Sequence, residues 1–167
     1  MRKSVLVLWV LLVSLSGTFA QSYQTHSLFI YSFTKFVLWP EGDRQGDFQI
    51  TVLGDSPIVS ELKTMAEKKK AGGRTIVVTT INDISEFKKC HILFVSQNWS
   101  PRFADVLSKI GEEAVLVVTE QPGLGSKGSS VNFITKDGKL AFELNQAAMG
   151  KHKLKASAEL ARLAILI

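Results

Sequence analysis

The stretch "HILFVSQNWSPRFADVLSKIGEEAVLVVTE", residues 91–120, contains the unit that decides the fold. It begins with an apolar run at 91–97 and ends with another at 114–120, and each run predicts a buried strand. Between them, Ser100 and Pro101 are typical of a helix start, and Gly111 is typical of a helix end. A strand, a helix and a strand in this order predict two parallel strands joined by a crossover helix.

The same alternation precedes this unit. Apolar runs at 48–54 and 74–81 predict two further strands, separated by a helix over about 58–69. Asp83 and Glu86 have the spacing of a capping pair and predict a short helix before the third strand. The sequence therefore predicts an α/β fold, a three-layer Rossmann-like sheet with about four parallel strands in the spatial order 2-1-3-4, flanked by helices.

Three segments outside this alternation complete the predicted fold. Residues 23–39 have apolar side chains at helical spacing and precede Pro40, so they predict an N-terminal helix. The turn residues 136–138, Lys-Asp-Gly, lie between two strand-like runs and predict a C-terminal β-hairpin. Residues 154–167 are rich in Ala and Leu and predict a final helix that packs on the N-terminal one.

Residues 1–20 have the parts of a secretory signal peptide. A basic start and an apolar run at 5–13 are followed by Thr18 and Ala20, which suit cleavage after position 20. An uncleaved membrane anchor is the alternative, but this run is shorter than the roughly 20 apolar residues that span a bilayer. We expect an exported protein with a single α/β domain over residues 21–167.

Charge and cysteine content exclude several functional classes. Without the predicted signal peptide the chain has 18 basic and 15 acidic residues, a net charge of +3. Its basic runs at 67–70 and 151–155 have no interleaved aromatic residues for base stacking, so nucleic acid is not an expected partner. Cys90 is the only cysteine and cannot form a disulfide within the chain. We expect it to be a small buried hydrophobe rather than a redox thiol.

The loop "PGLGSKGSSVNF" at 122–133 imitates a nucleotide-binding motif. Gly123, Gly125 and Gly128 have the G-x-G-x-x-G spacing of dinucleotide-binding loops. That motif requires the loop to open a helix, because the pyrophosphate binds the amides of the helix N-terminus. The residues after Gly128 are instead typical of a strand. We predict a turn that leads into the hairpin and no cofactor site.

Other catalytic constellations are incomplete. His26, His91 and His152 have no second ligand at metal-binding spacing, so no metal site is predicted. Ser126 lacks the strand-to-helix turn of a nucleophile elbow. Asp55 follows the first strand without the acidic cluster of a phospho-receiver domain. We predict that the protein is not an enzyme.

One crevice is a candidate ligand site on general grounds. In an open parallel sheet, ligands bind at the carboxyl ends of the strands where the strand order reverses. With the order 2-1-3-4, the loops after the first and third strands line this crevice with Asp55, Ser56, Gln97, Asn98 and Trp99. Trp99 has two interpretations, a stacking platform for a small molecule or a hydrophobic lid, and we favour the lid.

Four stretches resemble, in the same order, the YfiR family of small exported proteins. They are "FTKFVLWP" at 33–40, "FQITVLGDSP" at 48–57, "KCHILFVS" at 89–96 and "GKLAFELNQAA" with "LKASAELARLA" within 138–164. The chain departs from the family in carrying Leu140-Ala141-Phe142, where the family often has a basic residue before the phenylalanine, and in having no partner for Cys90. That second departure puts redox regulation through a disulfide in doubt.

The resemblance implies a regulatory function in the periplasm. It implies a homodimer that binds the periplasmic domain of an inner-membrane diguanylate cyclase, or of a sensor kinase, and represses that enzyme. Release of the repressor raises cyclic di-GMP and favours biofilm. The apolar C-terminal segment and the aromatic first helix supply a candidate interaction surface: Phe36, Trp39, Leu163 and Leu166. The second hypothesis is a periplasmic small-molecule binding module that uses the crevice.

Overall fold

The fold is mixed α/β, built on an eight-stranded sheet with helices on both of its faces. In this computed structural model residues 17–167 are described. The strands are β1 Val37–Leu38, β2 Phe48–Leu53, β3 Lys70–Ala71, β4 Arg74–Ile81, β5 Ile92–Val95, β6 Leu116–Thr119, β7 Val131–Lys136, β8 Lys139–Leu144, β9 Lys155–Ala156 and β10 Ile165–Leu166. The α-helices are α1 Gly17–Phe36, α2 Ile58–Lys68, α3 Phe103–Ile110, α4 Gln146–Lys151 and α5 Ala158–Leu163. Short 3₁₀ turns cover Glu41–Asp43, Ile84–Glu86 and Gln97–Arg102.

The sheet has a parallel centre and mixed edges. Its order is β10-β8-β7-β6-β5-β2-β4-β3, and all pairs from β4 through β2, β5 and β6 to β7 are parallel. The expected α/β class is therefore confirmed. The Rossmann-like arrangement with four parallel strands is not confirmed, because β7 also pairs in parallel with β6 before it turns back into β8.

Strand β5 explains why the sheet needs helices on both faces. Its residues are all buried, and they alternate between two apolar clusters: Ile92 and Phe94 belong to one, Leu93 and Val95 to the other. Successive side chains of a strand point to opposite faces, so a continuous apolar strand needs cover on both. Helices α1 and α2 cover the first face, and the turn Gln97–Arg102 with α3 covers the second.

Aromatic side chains attach α1 to the hairpin end of the sheet. Phe29 and Phe33 each lie 5.3 Å, centroid to centroid, from Phe142. The helix ends at Phe36 and not at residue 39, because Val37–Leu38 pair with β9 in a separate two-stranded ribbon. Pro40 disfavours helical geometry in the residue before it, which is consistent with this early end.

The predicted hairpin is confirmed. Strands β7 and β8 pair antiparallel, and Lys136 lies opposite Lys139. The two residues between them, Asp137 and Gly138, have φ values of 52° and 72°. Positive φ at both central positions is the geometry of a type I′ turn, which Asp-Gly favours because its twist matches that of the strands.

The predicted final helix over 154–167 is wrong. Only α5, Ala158–Leu163, is helical there, and the Oγ of Ser157 caps it by accepting a bond from the Leu160 amide at 3.2 Å. Before it β9 pairs with β1, and after it β10 adds to the free edge of β8. Pairing of backbone groups with two strands overrides the helical preference of an Ala- and Leu-rich segment.

The predicted signal peptide, residues 1–20, lies largely outside the described residues. Helix α1 begins at Gly17 and so crosses the expected cleavage point. Within residues 17–167, no helix combines the length and apolar character that crossing a membrane requires.

Candidate functional site

The glycine-rich loop enters a strand, as predicted. After Gly128 the chain continues into β7, and the residues around the junction form a buried hydrogen-bond network. Thr119 Oγ1 donates to Asn132 Oδ1 at 2.7 Å, and lies 2.8 Å from Ser129 Oγ. The Asn132 amide in turn donates to a carboxylate oxygen of Glu143 at 2.9 Å. These polar groups are satisfied by one another, and the loop has no helix N-terminus at which a phosphate could bind.

The two loops of the predicted crevice are in direct contact. Gly54 ends β2 with φ +83°, and a Cβ built on it lies 2.3 Å from Ser96 Oγ and 2.6 Å from Trp99 Cδ1. Ser96 Oγ donates to the Leu53 carbonyl at 2.6 Å and is also bonded to the Asn98 side chain. The residues that follow β2 and β5 therefore pack against one another at the carboxyl ends of these strands.

Trp99 occupies the position of a lid. Its side chain is 7 % exposed and packs in the second apolar cluster. The guanidinium of Arg102 covers the ring at 4.6 Å from its centroid. Arg102 is itself paired with Asp105 at 3.1 Å and with Asp83 at 3.8 Å. Arg102 therefore covers one face of the Trp99 ring, and the charge of Arg102 is paired with two carboxylates.

The other predicted crevice residues have different exposures. Asp55, Gln97 and Asn98 are exposed, whereas Ser56 is 6 % exposed and its Oγ accepts a bond from the Ile58 amide at 3.4 Å. The structure thus brings the five residues together around Gly54.

Glu120 is a polar residue of this sheet end that sequence reasoning missed. Its carboxylate accepts a hydrogen bond from the Tyr23 hydroxyl at 3.3 Å. Burial raises the pKa of Glu120, and the bond from Tyr23 partly opposes that increase. An acidic residue directly after the buried run of β6 was the available signal. The contact connects α1, near its start, to the carboxyl end of the sheet.

Cys90 is a buried thiol. Its side chain is 3 % exposed, and burial raises its pKa to about 12. A thiol with this pKa stays protonated at neutral pH, and only the thiolate is a nucleophile. The predicted small hydrophobe is consistent with these observations.

The candidate interaction surface divides into two kinds of residue. Leu163 and Leu166 are 63 % and 52 % exposed, whereas Phe36 is half-buried and Trp39 is only 6 % exposed. The remaining large exposed apolar side chains of the described residues are Leu28, Leu38 and Ile167. The apolar surface is therefore concentrated on α1, β1 and the C-terminal segment. Trp39 contributes to the core.

The histidines lie far apart in the fold. His26 packs edge-on against Phe133, His91 stacks on Phe48, and His152 Nδ1 lies 2.9 Å from the Glu113 carbonyl. Within residues 17–167, no three side chains of His, Cys, Asp or Glu are grouped as metal ligands.

Comparison with protein families supplies the decisive observation. Residues 23–165 match the family described as YfiR/HmsC-like, from the first described side chains of α1 to the start of β10. The chain belongs to the YfiR/HmsC-like family. The resemblance inferred from the four sequence stretches is thereby confirmed, since they all lie within the matched range. No curated protein is significantly similar to the chain.

Proposed function

We propose that this YfiR/HmsC-like protein is a periplasmic regulator that binds the periplasmic domain of a membrane-bound signalling enzyme and represses it. The enzyme is a diguanylate cyclase or a sensor kinase. The observation that carries the proposal is the family match over residues 23–165. The action proceeds by binding, with no chemical step on the regulator itself.

The C-terminal segment supports this proposal because it offers a surface for a protein partner. Leu163 ends α5 and Leu166 lies in β10, the outermost strand on its side of the sheet. Ile167 follows and is 45 % exposed. Large apolar side chains next to one another on a surface are typical of protein–protein contacts. An edge strand also offers unpaired backbone groups to a partner.

Self-association is part of the proposal. We expect a homodimer that buries some of the same apolar surface. Light scattering of residues 21–167 at micromolar concentration is expected to give twice the mass of one chain. A monomer under these conditions would contradict the dimer.

Binding to the partner is tested with purified domains. Residues 21–167 are titrated, in a calorimeter, with the periplasmic domains of the membrane-bound diguanylate cyclases and sensor kinases of the same organism. We expect saturable binding, and we expect Leu163→Gln with Leu166→Gln to weaken it by about tenfold or more, the effect of losing central apolar contacts.

Leu38→Gln is the matched control for these substitutions. Leu38 is 51 % exposed, nearly the same as Leu166, but it lies in the β1–β9 ribbon. We expect this variant to bind like the wild type. Equal losses for Leu38→Gln and for the variant with Leu163→Gln and Leu166→Gln would contradict the assignment of the surface to the C-terminal segment.

The small-molecule hypothesis for the crevice remains the second candidate. The cluster formed by Asp55, Ser56, Gln97, Asn98 and Trp99 gives it a location, around Gly54 at the carboxyl ends of β2 and β5. Titration of the Trp99 fluorescence with a panel of metabolites tests it, and Trp99→Phe is the control. Absence of saturable quenching would remove this candidate.

A further inference from the structure

A cavity of about 310 Å³ opens at the far end of α1, away from the carboxyl ends of the strands. It lies between the end of α1, the loop 41–47 and the β3–β4 turn. Its apolar walls are buried side chains of the main core: Val37, Trp39, Phe48 and Ala71. The rings of Trp39 and Phe48 are 5.2 Å apart, at 89°. The volume is at the lower end of the range for small-molecule sites.

Arg74 is fixed at the cavity by main-chain oxygens. Its Nε donates to the Gly46 carbonyl at 2.6 Å, its Nη1 to the Asp43 carbonyl at 3.2 Å, and its Nη2 to the carbonyls of Gln45 and Asp47 at 3.0 Å each. Its guanidinium also lies 5.4 Å from the centroid of the Phe48 ring. Carbonyl oxygens and a ring face hold the group in place but carry no net charge. The positive charge of Arg74 is therefore preorganised and not neutralised.

His91 does not neutralise Arg74 either. Its Nδ1 accepts a bond from the Gln49 amide at 3.0 Å, so the proton of the neutral ring is on Nε2, which lies 2.8 Å from the Asp43 carbonyl and 2.9 Å from Arg74 Nη2. Burial lowers the pKa of His91, which keeps the ring neutral. The carboxylate of Asp43, a residue of the same loop, is paired with Lys89 at 2.5 Å.

Arg44 is a second cation at the cavity. Its Nε donates to the Trp39 carbonyl at 2.9 Å, and within the described part of the chain its two terminal nitrogens have no hydrogen-bond acceptor. No ion pair joins Arg44 or Arg74 to a described carboxylate, and no acidic residue lines the cavity. The indole nitrogen of Trp39 is also buried without an acceptor among the described residues. Buried donors are nearly always satisfied, so this one calls for an explanation.

We propose that this cavity binds a small organic monoanion, a carboxylate on a flat apolar body of about ten non-hydrogen atoms. The carboxylate lies between Arg44 and Arg74: the terminal nitrogens of Arg44 form charge-assisted bonds with it, and Arg74, most of whose N–H groups already bond carbonyl oxygens, contributes its positive charge. The apolar body lies against Trp39 and Phe48. Because no acidic residue lines the cavity, an ammonium group has no partner, and the site selects a monoanion over an amino-acid zwitterion or a cation.

The test is a titration of isotope-labelled residues 21–167 followed by NMR. Phenylacetate is the probe, and phenethylamine is its cationic counterpart of matched shape. We expect phenylacetate to shift the indole N–H signal of Trp39 saturably at concentrations on the order of millimolar, and phenethylamine to leave it unchanged. Higher salt weakens the phenylacetate effect, since screening reduces the attraction of the arginines.

Arg44→Gln is the decisive variant. Arg44 makes a single hydrogen bond with the residues that the structure describes, so we expect the substitution to leave the core intact. We expect it to weaken phenylacetate binding about tenfold. Arg102→Gln, which removes an arginine from the ring of Trp99, is the matched control and is expected to bind like the wild type.

Three results would overturn the proposal. They are an unsaturable or absent shift of the Trp39 signal, equal binding of phenethylamine, and Arg44→Gln binding as tightly as the wild type. The titration uses the protein alone, so its outcome is independent of the partner binding proposed above.

Discussion

Two tryptophans of this protein each lie beside arginine, yet their surroundings differ. Arg102 covers the ring of Trp99 and is paired with Asp105 and Asp83. Arg44 and Arg74, near Trp39, bond to carbonyl oxygens and are paired with no described carboxylate. A cavity remains beside Trp39. Residue types alone therefore do not distinguish a lid from a binding site; the counter-charges and the free volume do.

The largest expected effect concerns the loops packed around Trp99. Gly54→Ala places a methyl group 2.3 Å from Ser96 Oγ, at a φ of +83° that side chains rarely adopt. We expect the free energy of unfolding to fall by about 3 kcal/mol, from overpacking and backbone strain together. Urea denaturation measures the change.

Gly123→Ala separates strain from overpacking. Gly123 has a similar φ of +85°, but nothing lies within 4 Å of an added Cβ. Strain alone is expected to cost about 1 kcal/mol. Equal losses for the two variants would show that the loops after β2 and β5 are not tightly packed around Gly54.

The next effect compares the arginines themselves. Arg74→Lys removes the planar group that bonds Gly46, Gln45 and Asp47, and is expected to cost about 2 kcal/mol of stability. Arg102→Lys keeps a charge near Asp105 on an exposed side chain, and is expected to cost less than about 0.5 kcal/mol. Thermal unfolding of both variants measures the difference. If Arg102→Lys costs as much as Arg74→Lys, the contrast between the two arginines is wrong.

The smallest effect is the pH dependence that His91 contributes beside Arg74. Burial holds its pKa in the folded protein below that in the unfolded chain. The unfolded chain therefore takes up a proton first as the pH falls through about 6.5, and stability declines from there towards lower pH. We expect His91→Asn, whose side-chain oxygen can accept the bond from Gln49, to flatten this decline between about pH 7.5 and 5.5. An unchanged pH profile in the variant would show that His91 does not titrate as described.

The central strands were predictable because their composition leaves few alternatives. The run that forms β5 is continuously apolar, those that form β2 and β6 are predominantly apolar, and Gly111 marks the end of α3 as expected. The C-terminal segment was not predictable, because its conformation depends on distant partners. The edge of β8 receives β10, and β1 receives β9, and neither pairing has a signature in residues 154–167.

The two candidate sites also differ in how far the sequence predicts them. The crevice residues follow from a general rule about the carboxyl ends of strands, and the structure does bring them together. The cavity beside Trp39 depends on Arg74 bonding to carbonyl oxygens of a loop 28 residues away at Gly46. Every residue supplies a carbonyl oxygen, so this contact leaves no pattern in the sequence. Of the residues that line this cavity, the sequence drew attention to Trp39, which lies within the family stretch at 33–40.

Repression of the partner enzyme is the central claim, and its activity is the most direct measurement. A membrane-bound diguanylate cyclase or sensor kinase of the same organism is reconstituted with its periplasmic domain accessible, and its rate of product formation is followed while residues 21–167 are added. The account predicts a saturable fall in rate, and a need for about tenfold more of the Leu163→Gln, Leu166→Gln variant to reach the same inhibition. A rate that stays constant at saturating protein would contradict the account.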